Sequence, residues 1–145
     1  MPNYSGSFAG KVGSQAVVAL RDQADHQLSV AEISGRQNCT DEQWNDAQLT
    51  YWGLTDLTAG HGTQRGYWVN EHANGDRDWG TFEGRVTVTG GQVAIEGRFQ
   101  NKGGTGRFTG ISGGGTFKGS FSSPAEVSVR WEGTYKLAAS SAAAR

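Results

Sequence analysis

Apolar and polar residues alternate with a period of two along most of this chain. Val93, Ile95, Gly97 and Phe99 alternate with Gln92, Ala94, Glu96, Arg98 and Gln100. Val127, Val129, Trp131, Gly133, Tyr135 and Leu137 alternate with Glu126, Ser128, Arg130, Glu132, Thr134 and Lys136. Successive side chains of an extended strand point to opposite faces, so each run predicts a strand with one buried face. Less regular runs at 14–20, 27–35, 47–58, 64–72, 78–88 and 115–122 raise the expected total to about eight strands, separated by Gly, Asn, Asp and Ser turn chemistry. No segment sustains a helical period. "TDEQWNDAQ" (40–48) predicts at most one helical turn, capped by Thr40 or Asp41.

The clearest hairpin lies in "EHANGDRDW". Asn74-Gly75 suits the two central positions of a type I′ turn, where both residues take positive φ. That turn places Glu71 opposite Asp78, Val69 opposite Gly80 and Tyr67 opposite Phe82. One face then carries Tyr67, Val69, Glu71, Phe82 and Val86. The other carries Trp68, Asn70, His72, Trp79, Thr81, Glu83 and Arg85. A one-residue slip exchanges cross-strand sets, and in that case Trp68, Trp79, Glu83 and Arg85 become the interior lining.

Glycine accounts for 23 of the 145 residues and proline for only two. A disordered glycine-rich chain is poor in aromatics, whereas this one has 15 Phe, Trp and Tyr, so its glycines belong to ordered elements. Glycine within strands permits the sharp bends that barrel closure needs. The pattern predicts an all-β, eight-stranded antiparallel barrel spanning residues 1–137 as one domain, with a two-layer sandwich as the competing arrangement. The Ala/Ser-rich tail, 138–145, is expected to lie outside it.

"GGTGRFTG" (103–110) is the most motif-like stretch. It lacks the Lys of a phosphate-binding P-loop, and no helix follows it, so the spacing fits neither that loop nor a dinucleotide fingerprint. A tight connection that turns a barrel corner while Phe108 plugs the end accounts for it. The longer run "GGTGRFTGISGGGTFKGSF" also resembles the glycine-rich segment shared by allene oxide cyclases, dirigent proteins and their bacterial barrel relatives. "GTQRGYWVNEHANGDRDWGTFEGRVTV" is similar to the hairpin of uncharacterised bacterial members. The resemblance covers roughly residues 60 to 137. It implies a calycin-like barrel, often dimeric or trimeric, with an apolar cavity open at one end. The catalytic residues of those families match no positions here, so it bears on fold more than reaction.

The remaining composition narrows the chemistry. A net charge of -1 supplies no long-range field for nucleic acid or an anionic membrane. "MPNYSGSF" has no basic segment leading into an apolar run, which gives the expectation of a soluble, cytoplasmic protein. Cys39 is the single cysteine and has no evident base beside it; His26, His61 and His72 form no ligand pair on one element. No metal and no cofactor is expected.

The expected apolar faces gather Tyr51, Phe82, Phe99, Phe117, Trp131 and Tyr135 as ligand-binding candidates. Glu71, with Tyr67, is the candidate acid or base, since a carboxylate inside an apolar barrel resists ionisation; the competing reading has Glu71, near the hairpin end, pointing at solvent from the barrel rim. Trp52, Trp68 and Trp79 fall among polar groups on the opposite faces and suggest a subunit interface, with a rim recognising sugar or aromatic rings as the competing account. The expected function is binding of an apolar small molecule, as a cofactor-free cyclase or isomerase. A carrier without chemistry and a structural barrel filled by its own aromatics are the alternatives.

Overall fold

The alternation becomes nine β-strands in the computed structural model, which describes residues 2–138. They are β1 (Asn3–Ala19), β2 (His26–Arg36), β3 (Asn38–Cys39), β4 (Gln48–Thr58), β5 (His61–Glu71), β6 (Arg77–Thr89), β7 (Gln92–Gly104), β8 (Ser112–Ser123) and β9 (Glu126–Lys136). Consecutive strands from β4 to β9 pair antiparallel with their neighbours, and the eight long strands close into a barrel.

β1 closes the cylinder by changing partners along its length. Residues 3–11 pair with β9 and residues 11–19 with β2, with a register shift between Val12 and Ser14. Such a shift bends a strand, which this element needs to reach both neighbours. β1 begins well before the run at 14–20. Its first half buries Tyr4 and Phe8 with Gly6 between them, so the missing side chain hides the apolar alternation.

β3 continues the line of β2 beyond Gln37 and pairs with Gly6 and Ser7 of β1. At the interruption Gln37 turns inward and is only 4% exposed. Its backbone is held by the 40–48 segment, donating to the Ala47 carbonyl and accepting from the Asp46 amide. That segment forms successive turns rather than a helix. Asp41 begins them as expected, its Oδ1 accepting the Gln43 amide at 2.9 Å.

The 103–110 stretch acts as a corner and a plug. Gly104 ends β7, residues 106–108 make one 3-10 turn, and Phe108 is fully buried at the barrel end. Gly106 has φ +58°, and a Cβ there would strike the Asp76 carboxylate. Within the strands, Gly84 and Gly97 face each other across β6 and β7. A Cβ on Gly97 would lie 2.6 Å from the Gly84 Cα, so only two glycines allow the backbones to approach this closely.

Two apolar clusters fill the interior. The larger runs along the barrel and includes Phe8, Ile33, Tyr51, Trp68, Phe82 and Phe117. The smaller closes the end beneath the 3-10 turn and comprises Tyr4, Trp44, Phe108, Ile111 and Tyr135.

The opposite end carries a charged clasp. His26 Nδ1 lies 2.7 Å from Asp22 and its Nε2 2.6 Å from Asp56, and these two hydrogen bonds raise the imidazole pKa above 6.5. A group with a raised folded-state pKa stabilises the fold below its unfolded pKa, and that stabilisation is lost as pH rises through the folded value. An NMR titration of His26 is expected to give a midpoint above 6.5, with Asp56→Asn lowering it. An unmoved midpoint in that variant would remove Asp56 from the clasp.

Candidate ligand-binding site in the barrel lumen

The β5–β6 hairpin decides which side chains enter the lumen. Its loop has three residues, not two: His72 N–H donates to the Asp76 carbonyl, and Gly75 N–H donates to the His72 carbonyl. Gly75 alone takes positive φ, +93°, and the Asn74 side chain bonds to Asp76 instead. This is a type I turn followed by a left-handed glycine, and its extra residue moves the register by one. Trp68 therefore pairs with Gly80, Val69 with Trp79, Tyr67 with Thr81 and Glu71 with Arg77.

The consequence is a correction to half of the expected hairpin face. Phe82 and Val86 point inward as expected, but Tyr67 is 66% exposed and Glu71 is also exposed. Neither stands in the lumen as an acid, base or hydrogen-bond donor. Trp68 is buried in the interior rather than on an outer face. Trp52 and Trp79 do lie outside, partly exposed, with the Trp52 indole donating to Glu32 at 2.8 Å. Glu83 and Arg85 also remain outside.

Inside, the barrel holds a cavity of about 80 Å³. Phe82, Phe99, Phe117, Trp131 and Tyr51 line it together, as expected of the apolar faces. Leu49, Ile95, Val129, Phe8 and Trp68 complete much of the wall. Tyr135 belongs instead to the end cluster, where its hydroxyl donates to Asp41 at 2.6 Å. Burial and that neighbouring carboxylate push its pKa up to about 12.

The aromatic walls meet edge to face. Tyr51 crosses Phe82 at 90° with ring centres 5.5 Å apart, and Phe82 crosses Phe117 at 88° and 5.9 Å. Phe99 bridges Trp68 and Trp131 at 6.2 and 5.9 Å. This geometry sets ring edges against ring faces, the favourable quadrupole arrangement, and gives the chamber fixed walls.

Polar groups enter the lumen in two ways. One set forms a connected chain toward the plugged end. Trp131 Nε1 donates to Gln37 Oε1 at 3.0 Å, and Gln37 Nε2 donates to Asn70 Oδ1 at 3.1 Å. Asn70 Nδ2 and Trp44 Nε1 donate to Asp78 Oδ2 at 3.3 and 3.1 Å. His72 Nε2 lies 2.7 Å from Asp78 Oδ1. Asp78 is 1% exposed, and these three donors compensate the loss of water around its carboxylate. Asn70 and His72 thus lie inside, not on the outer face that the two-residue turn predicts, and Asp78 is buried with them.

The other set has no partner. The Trp68 indole N–H is buried and meets no acceptor among the described residues. The Tyr51 hydroxyl and the Gln64 amide, both on residues of the cavity wall, also make no hydrogen bond to a described residue, but of the three only the indole nitrogen is fully enclosed. Burial holds the Tyr51 phenol protonated, far above its ordinary pKa. An orphaned buried donor costs roughly 1–3 kcal/mol, and such groups are rare in folded interiors.

Among the described residues no cluster of three or more His, Cys, Asp and Glu could hold a metal, and no helix is long and apolar enough to cross a membrane. No family model matches the chain, and no curated protein matches it.

Proposed function

We propose that this barrel binds a small hydrophobic molecule in its lumen. The observation that carries the reading is the apolar chamber of about 80 Å³, walled by edge-to-face aromatics and set between the plugged end and the His26 clasp. A dry cavity of about 150 Å³ lined by Leu, Ile and Phe takes up benzene. The smaller chamber here suits a guest of a few heavy atoms, and larger guests require the aromatic walls to move. The likeness of residues 103–121 to the allene oxide cyclase and dirigent barrels supports the same location for the guest.

The lining residues support binding more directly than catalysis. The wall includes amides, indoles and two protonated phenols, but no carboxylate or imidazole to carry a proton at neutral pH. With Glu71 outside, a cyclase would have to work through shape and hydrogen bonding alone.

The test is a titration of intrinsic fluorescence with benzene and cyclopentane, because Trp44, Trp68 and Trp131 all line the chamber. Saturable changes are expected in the native chain and in Glu71→Gln. Val129→Phe, which fills the chamber, is expected to abolish them while keeping its far-UV spectrum. Identical titrations of the native chain and a folded Val129→Phe would exclude the lumen as the site.

A further inference from the structure

The lumen treats its polar groups in two ways, and that difference bears on what the guest is. Gln37, Asn70 and Trp131 also line the chamber, and every member of the Trp131–Gln37–Asn70–Asp78 chain is paired. Among the residues of the chamber wall, the Trp68 N–H is buried without a partner, and the Tyr51 hydroxyl and the Gln64 amide make no hydrogen bond to a described residue. They belong to neighbouring strands, with Tyr51 directly opposite Trp68 across β4 and β5. A cavity meant only for hydrocarbon is better lined by atoms that form no hydrogen bonds, because each unpaired polar group counts against the folded state.

We propose that the guest is a small, neutral, oxygen-bearing molecule, such as a ketone, ester or cyclic ether, with its oxygen toward the Trp68 indole N–H. The inference rests on the lumen being the binding site and adds the guest's chemical class. The body must be apolar, because aromatic and aliphatic side chains make up nearly all of the wall. The polar part must include an acceptor, since an indole nitrogen can only donate. It must be neutral: none of the lining residues carries a charge to meet an ion, and an unpaired ion would be strongly penalised there. Tyr51, opposite Trp68 across β4 and β5 and kept protonated by burial, offers a second donor on the wall.

The experiment compares cyclopentanone with cyclopentane, nearly the same shape with and without a carbonyl. Both are titrated into native protein, Trp68→Phe and Tyr51→Phe, and the Trp68 indole N–H resonance is followed by nitrogen-15 NMR. Only cyclopentanone should move that resonance downfield. The ratio of ketone to hydrocarbon affinity should fall by about tenfold in Trp68→Phe, the loss of one hydrogen bond. Tyr51→Phe should lower it less, because the indole remains.

An unchanged ratio in both variants, with the indole resonance unmoved by ketone, would overturn the proposal while leaving lumen binding intact. Failure of both compounds to bind native protein would overturn the lumen reading and the inference with it. If Trp68→Phe does not fold, the resonance in native protein and the Tyr51→Phe ratio still decide the matter.

Discussion

Replacing Asp78 by alanine is expected to destabilise the protein by about 3–5 kcal/mol, the range found when one partner of a buried charged network is removed. The carboxylate is 1% exposed and receives Trp44, Asn70 and His72. Without it, two neutral donors and an imidazole face an apolar space they cannot leave, since Trp44 is itself 1% exposed. Asp78→Asn should cost less, about 1–2 kcal/mol. Its amide oxygen can keep Trp44 and Asn70, and its NH₂ group can donate to His72 in the other tautomer. Urea unfolding with an unchanged slope would read both losses. An Asp78→Ala midpoint equal to the native one would show that the network contributes nothing to stability.

That network also shows where the sequence was legible and where it was not. β7 and β9 each keep at least three apolar residues in phase around a single glycine, so Phe99 and Trp131 could be assigned to the lumen from pattern alone, and the structure places them there. The first half of β1 could not, because Gly6 and Gly10 both stand where apolar residues would have continued the signal. The hairpin turned on a single residue. Ala73-Asn74-Gly75 serves equally well as a two-residue loop with Asn74 left-handed or a three-residue loop with only Gly75 left-handed, and local chemistry does not choose.

The flanking residues gave no correction either. Tyr67 and Trp68 are adjacent aromatics, so either could be the inward ring on β5. The inward set at the end of β5 and just beyond it is Trp68, Asn70 and His72, two of them polar, whereas the expected set was Tyr67, Val69 and Glu71. A rule that places apolar residues inside favours the wrong phase wherever a barrel buries a polar chain. Asp78 offered one available signal: it shares the phase of Phe82 on β6, so accepting Phe82 as inward commits Asp78 to the interior as well.

Removing the aromatic ring at 108 should have an effect of similar size. Phe108→Ala is expected to cost about 3–5 kcal/mol, since the ring is fully buried and truncation leaves a cavity that a short glycine-bounded turn cannot collapse to fill. Phe108→Leu, which keeps most of the volume, should cost under about 1.5 kcal/mol. The ring stacks on His72 at 4.4 Å and packs on Trp44 at 5.1 Å, so the plug also holds two of the groups that bond Asp78. The two sites are therefore coupled. In the double variant Asp78→Ala/Phe108→Ala, the loss should fall short of the sum of the single losses by about 0.5–3 kcal/mol, because loosening His72 and Trp44 once leaves less to lose the second time. Strict additivity would mean that the ring fills space at the barrel end without positioning either group. A Phe108→Ala loss below about 0.5 kcal/mol, the size typical of surface substitutions, would mean that the 103–110 turn does not plug the barrel.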